Sequence, residues 1–377
     1  MIKIFLTGDN HIGLKYNSHP EAEILVRKRI DAFGPMVEKA NEEECDLFVI
    51  AGDLFDRTTG INKKDIRTIQ EHLSRFSGTV IVLPGNHDYY DEDVKVWRDF
   101  REEMDRHDNI MLLTSYEPRQ IPVNDQNVVL YPAFCTERHS KPGENNLDWI
   151  KRETILPDEK TYCIGLAHGA IEGVSIDQEG AYFQMSTAEL EQIPMDVWLI
   201  GHTHVPYPRD LKETPQEAGK IFNAGSHVQN DVSTNTEGLC FIIEIGDDKK
   251  VMARKFVSGN IRFWRRSVTV TAGNMKEELE RSVEDIGKES VVELLLSGAV
   301  TDEEYKNRAS IINGVLDGFI EGEYNDFEMS RLITADLIDS EYPETSIASG
   351  LLKSLLDNPR EAQLAYDLLK EMKGERK

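Results

Sequence analysis

The hydrophobic pattern of the first 260 residues alternates between short apolar runs and longer amphipathic segments. Short apolar runs are typical of buried strands, and the amphipathic segments between the early runs have helical spacing. The pattern predicts helices at 22–41, 63–76 and 92–105. The predicted strands are 2–7, 46–51, 79–83, 128–132, 161–167, 197–200, 239–245 and 251–257.

The order of these elements predicts how the strands pair. The chain opens as strand–helix–strand–helix–strand, which favours parallel strands that are buried on both faces. The later strands lie closer together and predict a second, more antiparallel sheet that packs on the first. Segments 114–127 and 205–220 contain proline and many polar residues and are predicted loops. Residues 1–262 are therefore predicted to form one domain of the α/β (α+β) class.

A second domain is predicted over residues 263–340. It contains no histidine, so it is a poor place to look for the chemistry. The alternation of its strand and helix patterns predicts a small α+β domain. Its predicted elements are a strand at 267–271, a helix at 274–287, a strand at 291–296, a helix at 303–320 and a strand near 326–333.

Residues 341–377 are predicted to form a pair of short amphipathic helices. Ser346 can cap the first helix, and Asn358-Pro359 opens a second helix that runs through Met372. Two short helices at a chain end cannot bury both apolar stripes against each other alone. They therefore either fold back on the body of the protein or dock on a partner.

Charge limits the classes of partner. The 377 residues carry a formal net charge of −25, from 43 basic and 68 acidic residues. This balance argues against a general electrostatic hold on nucleic acid. It does not exclude such a substrate, because bound divalent cations would be the largest local charges at a site.

The apolar runs and the cysteines indicate the compartment. No apolar run approaches the roughly 18 residues of a membrane span. The N-terminus enters a strand-like segment directly, without the pattern of a signal peptide. The four scattered cysteines are predicted to be reduced core residues, not a disulfide framework or a zinc site. We therefore predict a cytoplasmic protein with no membrane association.

Polar residues follow five of the predicted strands at the point where each strand ends. In open α/β sheets this edge is where binding sites form. A lone histidine after a strand is usually an ordinary hydrogen-bonded residue, but five such segments are hard to explain as turns. The segments are Gly8-Asp9-Asn10-His11, Gly52-Asp53-Leu54-Phe55-Asp56, Gly85-Asn86-His87-Asp88, His168-Gly169 and Gly201-His202-Thr203-His204.

These segments predict a metal centre. Carboxylates and imidazoles suit manganese, iron or zinc, and no cysteine is placed among them. An aspartate can bridge two ions, so the number of ligands suggests two ions about 3.5–4 Å apart that hydrolyse a phosphate ester. The candidate ligands are Asp9, His11, Asp53, Asn86, His168, His202 and His204.

His87 and Asp88 are the candidate catalytic residues. His87 follows a candidate ligand and would be free to protonate the leaving oxygen or to stabilise the transition-state charge. Asp88 is predicted to be the group that orients His87.

In this order, the five segments resemble the five signatures of the calcineurin-like metallophosphoesterases. The resemblance implies a two-layer β-sandwich flanked by helices. It also implies one metal ion on Asp9, His11, Asp53 and His204. The other ion would lie on Asp53, Asn86, His168 and His202, with His87 as the catalytic histidine that binds no metal.

The form of the first two motifs, the small α+β domain and the terminal helices resemble one subgroup, the SbcD and Mre-type exonucleases. That resemblance implies a homodimer with a capping domain, hydrolysis of DNA ends or hairpins in DNA repair, and manganese as the supporting metal. Magnesium, iron and zinc are the alternatives. It also implies that the C-terminal helices bind an SMC-like coiled-coil ATPase.

Two alternatives stay open. The acidic balance favours a phosphoesterase for a small phosphodiester, a nucleotide or a phosphoprotein, and a scaffold of the same fold without activity is the third hypothesis. The last predicts loss of metal ligands, whereas all seven positions hold competent residues. Candidate substrate contacts are Asp56, His227, Arg262 and Arg265.

Overall fold

The structure is a computed structural model that divides into two compact units, Met1–Ile261 and Arg262–Lys377. The terminal helices belong to the second unit. The described residues are 1–123, 126–153, 155, 160–175, 177, 180–234 and 236–372. The predicted stretch 341–377 therefore ends, at 373–377, outside the described residues.

The first unit contains two sheets. Strands β1–β4 run parallel in a seven-stranded sheet, and β11 pairs antiparallel with β1 at the other side. The strands are β1 (Ile2–Thr7), β2 (Leu47–Ala51), β3 (Thr79–Leu83), β4 (Ile110–Leu112), β5 (Arg119–Val123), β6 (Gln126–Ala133), β7 (Thr161–His168), β8 (Val197–Gly201), β9 (Gln216–Glu217), β10 (Ile221–Phe222), β11 (Leu239–Ile245) and β12 (Val251–Val257). The sheet orders are β4-β3-β2-β1-β11-β12-β9 and β10-β8-β7-β6-β5.

The two sheets pack face to face and are flanked by helices. Apolar residues of β1–β3 share one core with inward residues of β6–β8, including Phe48, Leu130 and Leu166. The helices are α1 (Ala22–Asp31), α2 (Phe33–Glu42), α3 (Lys63–Leu73), α4 (Lys95–Met104), α5 (Asp148–Arg152) and α6 (Thr187–Gln192). The predicted single helix at 22–41 is two helices, because Ala32 ends α1 and begins α2.

The parallel opening predicted from the sequence is confirmed, but the prediction of a more antiparallel second sheet is wrong. Strands β6, β7, β8 and β10 are parallel, and the antiparallel strands β11 and β12 extend the first sheet instead. The connections between β6, β7 and β8 contain α5 and α6, of five and six residues. Helices this short show no clear helical period, so the pattern did not reveal the crossovers.

The predicted loop at 114–127 is also wrong in part, because it contains β5 and the start of β6. Strand β5 is an edge strand with alternating exposed and buried residues. It holds Pro122, which an edge strand tolerates and which made the segment look like a loop. Residues 124 and 125 lie outside the described residues.

The second unit is built on a parallel sheet in the order β13-β14-β15. A core of buried aliphatic residues lies between this sheet and its first two helices. The last strand is longer and begins earlier than predicted. The elements are β13 (Arg262–Thr271), α7 (Met275–Val283), β14 (Ser290–Val300), α8 (Asp302–Leu316), β15 (Glu321–Arg331), α9 (Ala335–Glu341), α10 (Ile347–Ser354) and α11 (Pro359–Met372).

The terminal helices bury only one of their two faces. Ser346 caps α10 as predicted, accepting a hydrogen bond from the Ser349 amide. A small cluster that includes Tyr342, Leu352 and Tyr366 buries the inner faces of α9, α10 and α11. The outer faces expose Ile347, Leu351, Leu364, Leu368 and Met372. No helix in the described part of the chain has the length and hydropathy to cross a membrane.

Candidate metal centre

The polar segments predicted at five strand ends meet at one place in the first unit. Strands β1, β2 and β3 are adjacent and parallel, so Asp9, Asp53 and Asn86 leave the same edge of the first sheet. Strands β7 and β8 are adjacent and parallel in the second sheet, and they bring His168 and His202 to the same place. We refer to this convergence as the polar edge.

Asp53 lies at the centre of the polar edge. Its Oδ2 is 3.3 Å from Nε2 of His168 on one side and 3.8 Å from Nε2 of His11 on the other. Its Oδ1 accepts a hydrogen bond of 2.8 Å from the His87 amide. One carboxylate thus faces two separate sets of donor atoms.

The first set is Asp9, His11 and His204, whose ligand atoms all lie within 4.8 Å of one another. The Nε2 atoms of His11 and His204 are 3.0 Å apart. Oδ1 of Asp9 accepts a hydrogen bond from the His202 amide, whereas its buried Oδ2 has no protein partner among the described residues. A buried carboxylate oxygen without a hydrogen-bond partner is available to bind a metal ion.

The second set surrounds the side-chain oxygen of Asn86. This Oδ1 is 3.1 Å from Nε2 of His168 and 3.0 Å from Nδ1 of His202. The amide nitrogen of Asn86 donates to the Arg138 carbonyl, which turns the oxygen towards the two rings. Nδ1 of His168 donates 2.9 Å to the Ala51 carbonyl, so Nε2 is the ring nitrogen that faces Asn86 and Asp53.

The residues present fit two divalent ions. Each set combines imidazole nitrogens with an oxygen donor, and Asp53 adjoins both. Hard oxygens together with imidazoles suit manganese, iron or zinc. The two groups of ligand atoms on either side of Asp53 match a centre in which one carboxylate bridges two ions.

Burial and neighbouring charges shift the pKa values of this centre. Burial raises the pKa of Asp9. Burial acts in the same direction on Asp53, but the charge and hydrogen bond of His168 hold the pKa of Asp53 well below its usual range. Against the effect of burial, Asp53 raises the pKa of His168 to about 9. Burial and the His168 charge lower the pKa of His202 to about 3.

The backbone of the polar edge adopts the left-handed conformation at four candidate ligands. The φ angles are +48° at Asp9, +44° at His11, +52° at Asp53 and +100° at His202. Residues with side chains rarely adopt this region, and such strain concentrates at functional sites. Glycine is required at Gly85, where a Cβ atom would lie 2.2 Å from Oδ1 of Asp53.

His87 lies beside the first set, and its catalytic role stays a prediction. His87 is half-buried at the cavity, with its ring 4.7 Å from the ring of His11. Its Nδ1 lies 3.1 Å from the carbonyl oxygen of Asp56, which orients the ring. Ligand atoms of His87, His11 and Asp53 also lie within 4.8 Å of one another.

Asp88 does not contact the His87 ring, so its predicted orienting role is wrong. Its two carboxylate oxygens accept hydrogen bonds from the amides of Gly85, at 2.7 Å, and Phe55, at 2.9 Å. Asp88 therefore joins the two turns that carry Asn86 and Asp53. Burial and the nearby Asp53 carboxylate raise the pKa of Asp88 to about 8.

A cavity of about 760 Å³ opens on the side of the first set. His11, His87, His204 and Asp56 line it, and the predicted contact of Asp56 with substrate stays a prediction. Lys15 and Arg57 also line it.

The other predicted substrate contacts lie elsewhere. His227 is fully buried, and its Nε2 donates 3.0 Å to the Arg29 carbonyl, so the prediction that it approaches substrate is wrong. Burial and the Arg29 charge lower its pKa to about 3. Arg262 and Arg265 belong to the second unit, on β13, where Arg265 pairs with Glu293. Their predicted contact with substrate stays a prediction.

Sequence analysis missed two residues beside the first set, Arg29 and Asn230. Arg29 is buried on α1 and donates to Oδ1 of Asn230, whose Nδ2 is 3.2 Å from Nδ1 of His204. The signal for Arg29 was its place four residues after Leu25 and four before Phe33, on the apolar face of the helical pattern. Nothing in the sequence around Asn230 indicated its contact.

Comparison with known proteins identifies a family. A family model described as calcineurin-like phosphoesterase matches residues 2–206, more than half of the chain. A solved dimetal phosphatase from Danio rerio is similar, with 9% identity, a TM-score of 0.37, and coverage of 64% of this chain and 94% of its own. Another solved structure has 11% identity and a TM-score of 0.37 and covers 67% of this chain and 98% of its own. At these TM-scores the two structures carry no argument about this chain.

Proposed function

The chain belongs to the calcineurin-like phosphoesterases, and we propose that within this family of metal-dependent hydrolases it is a nuclease that cleaves the phosphodiester bonds of DNA ends. The observation that carries the proposal is the pair of donor sets sharing Asp53 beside His87 and an open cavity. A DNA strand can reach a site that is open to solvent, and the cavity extends past the donor atoms to Lys15 and Arg57.

In this proposal Asp9, His11, Asp53 and His204 hold one ion. Asp53 also helps Asn86, His168 and His202 to hold the other, and manganese is the proposed metal. Bound divalent ions supply a hydroxide nucleophile near neutral pH and neutralise charge on the phosphate. The protein supplies rigid ligands, because hydrogen bonds to Ala51 and Arg138 orient His168 and Asn86.

His87 is the proposed proton donor to the leaving oxygen. Its Nδ1 is engaged by the Asp56 carbonyl, so Nε2 is the nitrogen available to exchange a proton in the cavity. Positioned general acids of this kind contribute roughly 10²–10⁴-fold to the rate. The ring lies beside the first set, on the side where the cavity admits substrate.

The wider assignment follows from the resemblance to the SbcD and Mre-type exonucleases. We propose a cytoplasmic homodimer that acts in DNA repair, with the C-terminal helices binding an SMC-like coiled-coil ATPase. The exposed apolar residues on α10 and α11 support a partner there, since Leu364 is 63% exposed and Leu368 is 53% exposed. Coiled coils bind through apolar helix faces of this kind.

A second candidate is hydrolysis of a small phosphodiester, a nucleotide or a phosphoprotein. The net charge of −25 favours it, because DNA binding usually relies on a basic surface. Both candidates use the same metal centre and His87, so they differ only in the substrate.

The test supplies the manganese-loaded chain with end-labelled linear DNA and, separately, with a bis-aryl phosphodiester. We expect release of nucleotides from DNA, and a loss of about 10²–10⁴-fold in rate for His87→Ala with bound manganese unchanged. Turnover of the bis-aryl ester without cleavage of DNA would favour the second candidate. Full manganese occupancy with neither activity would indicate the scaffold hypothesis.

A further inference from the structure

A buried arginine lies behind the first donor set. Arg29 is 1% exposed, and among the described residues no carboxylate pairs with it. Buried charges are normally paired, because removing a charge from water is costly. Here neutral oxygens accept its hydrogen bonds. They are the Asn10 carbonyl at 2.6 Å, the Tyr16 hydroxyl at 2.7 Å, Oγ of Ser226 at 3.3 Å and Oδ1 of Asn230 at 2.8 Å.

These hydrogen bonds connect Arg29 to each member of the first set. Asn10, whose carbonyl accepts from Nε of Arg29, lies between Asp9 and His11 in the chain. Oγ of Ser226 donates 3.0 Å to the carbonyl oxygen of Asp9. One guanidinium therefore anchors the segment that presents two of the three ligands.

Asn230 connects the same guanidinium to the third ligand. Because Arg29 donates to Oδ1, the amide nitrogen of Asn230 is turned towards the ring of His204, 3.2 Å from Nδ1. The opposite ring nitrogen, Nε2, is the atom that lies 3.0 Å from Nε2 of His11. The amide donates to Nδ1, and this contact holds the plane of the ring and therefore the direction in which Nε2 points.

Other groups orient the side chains of the second donor set. The backbone carbonyls of Ala51 and Arg138 orient His168 and Asn86, and neither Arg29 nor Asn230 contacts this set. Apart from Asp53 and the hydrogen bond from the His202 amide to Asp9, the two halves of the metal centre therefore have separate supporting contacts.

We propose that Arg29 and Asn230 are positioning residues for the first metal ion and not for the second. The inference rests on the metal assignment of the proposed function. Outer contacts to metal-bound histidine typically change metal affinity by about 10–100-fold. A change at Asn230 should therefore weaken the binding of one of the two ions by this factor and leave the binding of the other ion unchanged.

The experiment titrates the full-length, metal-free chain with manganese in a calorimeter. For the unmodified chain we expect two ions. For Asn230→Leu we expect one ion to bind with unchanged Kd and the other to bind about 10–100-fold more weakly. Asn230→Asp should keep both ions, since its carboxylate still accepts from Arg29 and, in place of the donating amide, accepts from Nδ1–H of His204. The ring proton then lies on Nδ1, which leaves the lone pair of Nε2 for a metal ion.

A matched control is Asn109→Leu. Asn109 is also half-buried and joins chain segments through its amide, which donates to the carbonyls of Leu73 and Phe76 away from the polar edge. The Asn109→Leu variant should bind both ions as the unmodified chain does. Thermal unfolding of each metal-free variant verifies that it is folded, and Arg29→Gln tests the other member of the pair by the same titration.

The outcomes are distinguishable. Two ions with unchanged Kd in Asn230→Leu would overturn the positioning role while leaving the proposed function intact. Equally weakened binding of both ions would overturn the assignment of Arg29 and Asn230 to the first set and indicate a general structural role for them. An unmodified chain that binds no manganese would overturn the metal assignment itself, and this inference with it.

Discussion

The two units of this chain both contain parallel strands joined by helices, yet they use their strand ends differently. In the second unit, Thr301 follows β14 and caps α8 in a reciprocal pair with Glu304. In the first unit the strand ends carry Asp9, Asp53 and Asn86, each of which lies beside histidines of the polar edge. Among the described residues, every cluster of potential metal ligands lies in the first unit.

The backbone explains this difference. After β1 and β2 the chain turns through left-handed residues, Asp9 and Asp53, so that their side chains return to the edge of the sheet. After β14, Thr301 stays extended and the next residue begins a helix. A parallel sheet therefore provides an edge, and the conformation directly after each strand decides whether that edge becomes a site.

The largest effect should come from Gly85→Ala. The new Cβ would lie 2.2 Å from Oδ1 of Asp53 and displace the carboxylate that both donor sets share. We expect manganese binding at both positions and hydrolysis to be lost, as measured by calorimetry and DNA cleavage.

The matched change in the second unit is Gly314→Ala, within α8, where a Cβ would meet nothing within 4 Å. This variant should gain about 0.5–1 kcal/mol of stability through helix propensity and keep full activity. If Gly85→Ala bound two ions with unchanged Kd, the central position of Asp53 would be contradicted.

A smaller effect is expected from the buried His227. The second unit contains no histidine, so it has no counterpart to this residue. Burial and the Arg29 charge lower its pKa from 6.5 to about 3, so the folded chain binds fewer protons than the unfolded chain between these values. The stability that it contributes is therefore lost as the pH falls through this window. The slope is at most about 1.4 kcal/mol per pH unit.

Urea unfolding of the metal-free chain between pH 7 and pH 4.5 measures this slope. His227→Gln should show a flatter dependence of the free energy of unfolding on pH than the unmodified chain. Equal slopes in the two proteins would mean that His227 is not held neutral by the fold.

The smallest effect on stability is expected on the outer face of α11. Leu364→Glu with Leu368→Glu should change the free energy of unfolding by no more than about 0.5 kcal/mol per site, since both side chains are more than half exposed. Hydrolysis should also be unchanged. Under the partner proposal, capture of the purified SMC-like ATPase by the chain should be lost.

The matched change on the inner face of α11 is Tyr366→Ala, at a buried ring in contact with Tyr342. It should destabilise the terminal helices, as reported by thermal unfolding of the second unit. Retained capture by the doubly substituted outer face would contradict docking at that surface.

The fold was predictable where the apolar runs were long and clearly separated. Strands β1, β3, β11 and β12 have the predicted bounds, and the parallel order at the start of the chain is confirmed. The errors occurred where elements were short or atypical, as with α5, α6 and the proline-containing strand β5. Helical periodicity needs several residues to be visible, and α5 and α6 are too short to show it, whereas Pro122 made β5 look like a loop.

The side chains at the polar edge were predictable from the sequence, because strand ends and the polar residues after them are local features of the chain. The groups that support these side chains became known from the folded chain. It assigned the Asp56 carbonyl to His87, moved Asp88 to the support of two turns, buried His227, and brought Arg29 and Asn230 behind His204. Apart from the contact between Gly85 and Asp88, these partners are distant in sequence, and packing between separate elements brings them into contact, so no local pattern contains them.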